Sequence, residues 1–189
     1  NIPVSSTNTR VIEYLAPVIR KKQTFEFILT VSDGKSTQSK KIPVVILPYQ
    51  PDLKTAEISS IEATDFNLTD DPSKALDGNT STMWSSKGDE QSLVLELKSP
   101  FNIKHIMLAF QPGQKKEFYF DIFCSTDGET WDLVLAKAKS CSFSGNLQIF
   151  NFPDLKAESG YSYIKLVGLG NSIDNWNYIS EFRIFGYPQ

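Results

Sequence analysis

The sequence predicts an all-β protein made of antiparallel β-sandwiches, and three observations support this prediction. First, almost every apolar run alternates with a period of two, which is the side-chain period of a strand. Second, turn-forming stretches such as "SDGK" and "STDGETW" separate the runs. Third, no stretch shows the 3.6-residue stripe of an amphipathic helix. Many short strands joined by turns are typical of sandwiches.

The first 47 residues hold only about three strands. The run "TFEFILTV" is followed by the "SDGK" turn and by "KKIPVVIL", which reads as the return strand. Its alternation places four apolar side chains on one face: Phe25, Phe27, Leu29 and Val31. Two or three strands in fewer than roughly 50 residues rarely fold alone. We therefore interpret residues 1–47 as the end of an incomplete sandwich whose first strands would precede this chain.

A short spacer separates this part from the rest of the chain. Pro48 and Pro51 flank it, and that composition suits a stiff linker over residues 48–53. Residues 54–189 then hold a complete strand set of their own, in "SLVLEL", "NIKHIMLAF", "EFYFDIFC", "NLQIFNF", "YSYIKLVG" and "YISEFRIFG". The sequence therefore predicts two domains, 1–47 and 54–189, with the linker between them.

Charge and motif content exclude several classes of function. The chain has 19 basic and 22 acidic residues, a net charge of −3, whereas a nucleic-acid-binding domain is basic. No apolar run approaches the roughly 20 residues of a membrane-spanning helix. The only histidine, His105, has no nucleophile pattern around it, and GxSxG, HExxH and phosphate-loop motifs are missing. We predict that this chain is not an enzyme by itself.

Two stretches at the ends of the second domain, "ALDGNTSTMWSS" and "YISEFRIFGY", resemble the discoidin-like, coagulation factor 5/8 C-type family. The middle also fits, through "SLVLELKSPFNIKHIMLAF", "FDIFCSTDGETW" and "YSYIKLVGLGNSIDNWN". That family includes galactose-binding-like carbohydrate-binding modules of family thirty-two, some of them attached to bacterial polysaccharide lyases. The resemblance implies an antiparallel jelly-roll β-sandwich with binding loops at one end. The earlier "FEFILTVSDGKSTQSKKIPVVI" resembles the last hairpin of Ig-like or PKD-like repeats, which implies a spacer.

In this family the first quoted loop holds a structural calcium ion, and the residue types suit one. Asp77 supplies a carboxylate, Gly78 lets the loop curl, and Thr82 can supply hydroxyl and carbonyl oxygens. Glu181, from the last strand, would add a second carboxylate. The resemblance implies further carbonyl ligands from Lys74, Asn79 and Ser180. The alternative is an ordinary Asp-Gly turn that precedes a core tryptophan, Trp84.

Three loops are candidates for a ligand site. The loop at 168–178 offers a flat aromatic ring and planar amides that suit a sugar, from Asn171, Asn175, Trp176 and Asn177. The loop at 111–117 and a third loop at 84–91 add an amide and lysines for a sugar carboxylate or sulfate: Gln111, Lys115, Lys116 and Lys87. The alternatives are that the tryptophan only plugs the sandwich end and that the lysines form a solvated edge.

The two cysteines, Cys124 and Cys141, allow two interpretations. The stretch between them, "STDGETWDLVLAKAKS", reads as a hairpin that returns the chain toward its start. Both positions recur in the lyase-attached modules that the chain resembles, so the resemblance implies a disulfide, worth about 3 kcal/mol for a loop of this length. Free buried thiols are the alternative.

The expected function is that of a non-catalytic carbohydrate-binding module. It would target a secreted, lyase-type bacterial protein to an acidic polysaccharide such as alginate, at a secreted or cell-surface location. Its partners would be that polysaccharide and the parent protein's catalytic domain. An adhesion or membrane-surface domain is one alternative, which exposed apolar loop tips would favour, although the candidate loops are polar apart from one tryptophan. A structural domain packed on its parent enzyme is another.

Overall fold

The computed structural model describes residues 21–46, 53–111, 116–141, 145–152 and 160–189. The chain divides into two compact units, Asn1–Pro51 and Asp52–Gln189. The elements are β1 Gln23–Ser32, β2 Thr37–Ile46, β3 Lys54–Thr55, β4 Ile58–Ala63, the short 3₁₀ helix η1 Pro72–Leu76, β5 Trp84–Lys87, β6 Gln91–Ala109, β7 Phe118–Ser125, β8 Asp132–Lys139, β9 Gln148–Asn151, β10 Tyr161–Asn171, β11 Trp176–Ile179 and β12 Glu181–Pro188. No helix among these residues is long and apolar enough to cross a membrane.

The described part of the first unit is one antiparallel hairpin, β1 with β2. The predicted Asp-Gly turn joins them: Asp33 Oδ1 accepts hydrogen bonds from the backbone N–H groups of Lys35 and Ser36, at 2.8 and 2.7 Å. Gly34 there has φ of +83°, a conformation that suits glycine. This agrees with the hairpin expected from the sequence, and the assignment of the unit to an Ig-like sandwich stays a prediction.

The second unit is organised around the long strand β6. Its first half pairs with β4 and β10, and its second half pairs with β12 and β9, in each case antiparallel. The two runs "SLVLEL" and "NIKHIMLAF" are therefore one continuous strand that serves both halves of the sheet. With β7 and β8 beyond β10, and β3 beyond β12, the antiparallel β-sandwich expected from the sequence is confirmed.

The core follows from the period of two. Along β6, β7 and β10, alternate side chains are buried and form one cluster between the sheet halves, including Leu93, Leu95, Phe118, Phe120, Ile122, Ile164 and Leu166. Trp84 is also fully buried, and its indole Nε1 donates to the Asp65 carbonyl at 3.0 Å. Burying one such side chain stabilises the folded state by about 1.5–3 kcal/mol. The core therefore holds the strands in place, and the strands position the loops between them.

The expected disulfide between Cys124 and Cys141, both described, is not formed in the structure. β7 and β8 do make a hairpin, but Cys124 opposes Asp132 while Tyr119 opposes Lys139. Cys141 therefore lies beyond the start of β7, about 20 Å from Cys124 at roughly 3.3 Å per residue. A disulfide needs Cα atoms within about 7 Å. Cys124 is buried in the core, which raises the pKa of its thiol, and Cys141 is exposed.

Candidate functional site

A two-stranded ribbon of β5 and β11 lies beside the main sheet. It pairs Trp176 with Lys87 and Tyr178 with Ser85. Directly opposed residues of an antiparallel pair project from the same face, with Cβ atoms about 4.5–5.5 Å apart. The side chains of these four residues therefore share one face of the ribbon.

Two aromatic rings dominate that face. The rings of Trp176 and Tyr178 are stacked, with centroids 5.8 Å apart and planes at 16°. Both residues are half-buried, so part of each ring remains accessible. We call these two side chains the ring platform. The sequence analysis missed Tyr178, although its position two residues after Trp176 on a strand was a signal that could have identified it.

Charged groups lie near Tyr178, the inner ring of the platform. Lys116 Nζ lies 5.3 Å from the centroid of the Tyr178 ring and 3.2 Å from Asp174 Oδ2. Asp70 contacts the opposing strand, where its Oδ2 accepts a hydrogen bond of 2.7 Å from the Ser85 hydroxyl. Burial raises the pKa of Tyr178, and the negative charges of Asp174 and Asp70 raise it further. Only 9% of the Lys116 side chain is exposed, so this lysine is a buried ion-pair partner rather than a solvated loop residue.

The Asp174 carboxylate connects several parts of the loop before β11. Its Oδ1 accepts hydrogen bonds from the Trp176 backbone N–H at 3.0 Å and from Asn171 Nδ2 at 2.5 Å. Asn171 Nδ2 also donates to the Trp176 carbonyl at 2.8 Å. Burial opposes these contacts, but the hydrogen bonds from Asn171, Trp176 and Lys116 hold the pKa of Asp174 below its ordinary value. The loop that leads into the platform is therefore fixed by internal polar contacts.

Asn177 projects from the opposite, buried face of the ribbon. Its Oδ1 accepts from the Gly170 N–H at 2.8 Å, and its Nδ2 donates to the Gly88 carbonyl at 2.8 Å. A Cβ added at Gly168 would lie 2.3 Å from Asn177 Oδ1, so only glycine fits there. The side-chain amides of Asn171 and Asn177 are thus engaged within the protein and hold the ribbon and its loops together.

The other candidate ligand residues lie in different surroundings. Lys87 and Asn175 are exposed, and the Asn175 carbonyl accepts a hydrogen bond of 2.9 Å from the Gly88 N–H. Gln111 is half-buried in the loop that follows β6, and Lys115 lies outside the described residues. Lys87 and Trp176 are therefore neighbours on the ribbon, and Asn175 directly precedes Trp176.

The loop after η1 is closed by its own side chains. Asp77 Oδ1 accepts from the Asn79 N–H at 2.8 Å, and Asp77 Oδ2 accepts from the Thr82 hydroxyl at 2.6 Å. The Thr82 hydroxyl also contacts the Asn79 carbonyl at 2.8 Å, and Gly78 has φ of +77°. The Lys74 ammonium donates to the Thr69 carbonyl. This compact turn gathers a carboxylate, a hydroxyl and a carbonyl within hydrogen-bonding distance of one another.

Glu181, at the start of β12, is buried with one carboxylate oxygen unsatisfied. Its Oε1 accepts a hydrogen bond of 3.2 Å from Arg183 Nε, whereas Oε2 is buried and has no hydrogen-bond partner among the described residues. Glu181 and Leu76 line the same cavity, and Leu76 directly precedes Asp77. Ser180 beside it is fully buried, and its hydroxyl donates to the Phe110 carbonyl at 3.0 Å. The described residues contain no group of three or more His, Cys, Asp or Glu side chains that could hold a metal ion.

The profile of the F5/8 type C domain matches residues 56–182, which is more than half of the chain. The chain belongs to the F5/8 type C domain family. No curated protein matches the chain.

Solved structures place this F5/8 type C domain among family 32 carbohydrate-binding modules. The CBM32 of AlyQ, in complex with 4,5-unsaturated mannuronic acid, is 26% identical with a TM-score of 0.63, over 69% of this chain and 97% of that one. A pectin-binding module is 27% identical with a TM-score of 0.63, over 69% and 91%. The family 32 module of Clostridium perfringens NanJ, in complex with galactose, shares the fold at 20% identity and a TM-score of 0.58, over 70% and 98%.

These similarities establish the class of the second unit. It is a carbohydrate-binding module of the family 32 type, which is a class of non-catalytic domain. The predicted jelly-roll architecture and family are confirmed. The only histidine of this F5/8 type C domain, His105, stacks on Phe185 with ring centroids 4.8 Å apart, and burial lowers the pKa of His105.

Proposed function

We propose that residues 54–189 bind a uronate-containing polysaccharide through the ring platform and hold an attached catalytic domain close to that polysaccharide. The observation that carries the proposal is the register of the ribbon, which puts Lys87 on the same face as Trp176 and Tyr178. A secreted or cell-surface location in a bacterium is part of the proposal, because extracellular polysaccharides are found there.

The ring platform supplies the apolar half of the binding site. The C–H face of a pyranose ring packs against an aromatic ring, and aromatic contacts of this kind add about 0.5–1.5 kcal/mol to the area that they bury. Trp176 is the outer ring, and Asn175 beside it is exposed and can hydrogen-bond to sugar hydroxyls. Such a shallow site buries little surface, so we expect modest affinity and a benefit that comes mainly from proximity.

Lys87 supplies the charge that would select a uronate. It is exposed, and no ion-pair partner for it is found among the residues that the structure describes. Lys116, in contrast, is already neutralised by Asp174. The similarity to modules that bind 4,5-unsaturated mannuronic acid and pectin supports this choice, because both ligands carry sugar carboxylates. Lys115 lies outside the described residues and is left out of the proposed site.

We also propose that the loop after η1 holds a structural calcium ion. The buried, unsatisfied Oε2 of Glu181 supports this, since a buried carboxylate oxygen requires a cation or a donor. Asp77 and Glu181 would supply carboxylates, and Thr82 and the carbonyls of Lys74, Asn79 and Ser180 would supply neutral oxygens, the mixture that calcium prefers. Calcium would join the loop to Glu181 without taking part in sugar recognition.

The test of the uronate proposal compares two forms of one polymer. The full chain is titrated by calorimetry with polygalacturonate and with its methyl-esterified form, at two salt concentrations. We expect tighter binding of the charged form and a loss of that preference at high salt, because exposed charges are screened over about 10 Å at 0.1 M. Trp176→Ala should weaken binding of both forms about tenfold or more, ~1.4 kcal/mol.

The matched controls separate charge at the site from charge elsewhere. Lys87→Gln should remove the preference for the charged form, whereas Lys54→Gln, an exposed lysine on β3, should leave it unchanged. Equal affinity of the wild type for both forms, or a preference that survives Lys87→Gln, would reject the uronate proposal. Binding of both forms that depends on Trp176 would still support a sugar site.

One observation favours a second candidate, a membrane-surface domain. Leu68 is 96% exposed and Ile173 is 67% exposed, and the loop that carries Leu68 hydrogen-bonds to β5 through Asn67 N–H and the Ser85 carbonyl. Exposed apolar loop tips can insert at a lipid interface. Sedimentation with phosphatidylserine vesicles distinguishes the two: binding that is lost in Leu68→Ser and unaffected in Trp176→Ala would favour the membrane.

A further inference from the structure

Lys116 differs from the other ion-paired lysines that the structure describes because its side chain is buried. Its side chain is only 9% exposed, whereas the other lysines in ion pairs are 60% exposed or more. Its Nζ lies 3.2 Å from Asp174 Oδ2, and these two residues are 58 positions apart in the chain. It also lies over the ring of Tyr178. An ion pair over such a separation joins two loops that the sequence alone does not connect.

The same carboxylate that holds Lys116 also holds the backbone of the ring platform. Asp174 Oδ2 accepts from Lys116, while Asp174 Oδ1 accepts from the Trp176 N–H at 3.0 Å. The two loops are joined a second time beside this ion pair. The Glu117 N–H donates to the Ser172 hydroxyl at 3.1 Å, and the Ser172 N–H donates to the Glu117 carbonyl at 2.9 Å. Asp174 therefore connects Lys116 to the position of the Trp176 ring.

We infer that Lys116 and Asp174 are a positioning pair that fixes the ring platform, and that Lys116 does not itself contact the ligand. The inference rests on the proposed function, since it assigns a role within the same site. If it holds, loss of Lys116 displaces the Trp176 ring and weakens binding of any sugar to the same degree, whether the sugar is charged or not. A lysine that contacts the ligand would instead weaken binding of the charged sugar alone.

The first test measures the ratio of two affinities. Lys116→Met should weaken binding of polygalacturonate and of methyl-esterified polygalacturonate by the same factor, about fivefold to tenfold, and leave the salt dependence unchanged. Lys116→Arg should recover most of the loss, because a guanidinium can also pair with Asp174. Lys87→Gln, the matched variant, should weaken binding of polygalacturonate more than binding of the methyl-esterified polymer and so change the ratio of the two affinities. A loss confined to the charged polymer in Lys116→Met would overturn the inference.

The second test is a double-mutant cycle. If the two residues act as one unit, Lys116→Met combined with Asp174→Asn should weaken binding no more than the stronger single variant. Fully additive losses would mean that the residues act separately and would overturn the inference.

The third test needs no ligand and so separates this inference from the proposed function. The Trp176 N–H donates to Asp174 Oδ1, so its hydrogen exchange reports the contact directly. Exchange of this amide should become faster in Lys116→Met and in Asp174→Ala, and stay unchanged in Lys87→Gln and Lys54→Gln. If no polygalacturonate binds but exchange responds in this way, the sugar proposal fails and the positioning pair stands. Unchanged exchange in Lys116→Met would overturn the inference.

Discussion

The loop after η1 and the ring platform lie close together along β5, but they offer different chemical groups to a ligand. Beside the loop, the buried Oε2 of the Glu181 carboxylate has no hydrogen-bond partner among the described residues. Around the platform, the side chains of Asn171, Asp174 and Asn177 are paired within the protein, and the exposed groups are the aromatic rings with Lys87 and Asn175. The first region therefore suits a cation, and the second suits the apolar face of a sugar.

This difference also separates stability from binding. A buried carboxylate oxygen without a partner destabilises the folded state, so a cation that binds it acts on folding. An aromatic ring that is partly exposed to solvent destabilises the folded state little, so a ligand that covers the ring changes mainly the binding affinity. Variants in the two regions should consequently change different measurements.

The largest expected effect concerns calcium and the loop. At a hundredfold excess over Kd, an ion that binds only the native state stabilises it by about 2.7 kcal/mol. Calcium should therefore raise the Tm of metal-free protein in calorimetry, and a chelator should reverse the change. Asp77→Ala should abolish the response, whereas Trp176→Ala should retain it. Superimposable melting curves with and without calcium, after metal removal is verified, would reject the calcium proposal.

The second prediction tests whether the platform is held by buried amides. Asn177→Ala leaves the Gly170 N–H and the Gly88 carbonyl without their partner, and each buried group left unpaired costs about 1–3 kcal/mol. We expect a loss of about 2 kcal/mol in the free energy of unfolding, measured in urea. Asn175→Ala is the matched control, since its side chain is exposed, and it should stay within about 0.5 kcal/mol of the wild type. Equal stability of the two variants would show that Asn177 does not hold the ribbon.

Much of the fold could be predicted because it depends on local patterns. The alternation in β1, β7 and β10 and the turns at Gly34 and Gly128 are properties of short segments, and the structure forms strands and turns there. The continuation of β6 through both halves of the sheet could not be predicted in this way, because it depends on pairing with strands elsewhere in the chain.

The features that the sequence did not reveal depend on long-range geometry. The resemblance implied a disulfide, but counting from the turn of the β7–β8 hairpin places Cys141 at the opposite end of β7 from Cys124. The burial of Lys116 depends on Asp174, which no local pattern connects to it. Tyr178 could have been predicted from the two-residue period of a strand, because it follows Trp176 by two positions on β11.

The smallest expected effect concerns the electrostatics of the platform itself. The negative charge of Asp70 contributes to the raised pKa of Tyr178, after burial and Asp174. Removing that charge in Asp70→Asn should therefore lower the pKa of Tyr178 toward its ordinary value. The measurement is a pH titration of the tyrosine Cζ resonances by NMR, with Tyr178→Phe to assign the signal.

Asp71→Asn is the matched control for this titration, because the neighbouring carboxylate of Asp71 accepts a hydrogen bond from the Ser73 N–H and is not among the charges that raise the pKa of Tyr178. It should leave the Tyr178 titration unchanged. If Asp70→Asn also leaves the titration unchanged, Asp70 does not act on the inner ring. The charge that raises the pKa of Tyr178 would then come from Asp174. A lowered pKa in Asp70→Asn alone would show that Asp70 and Asp174 both act on Tyr178, and the exposed Lys87, which opposes Trp176, would be the described cation on that face of the ribbon that can receive a sugar carboxylate.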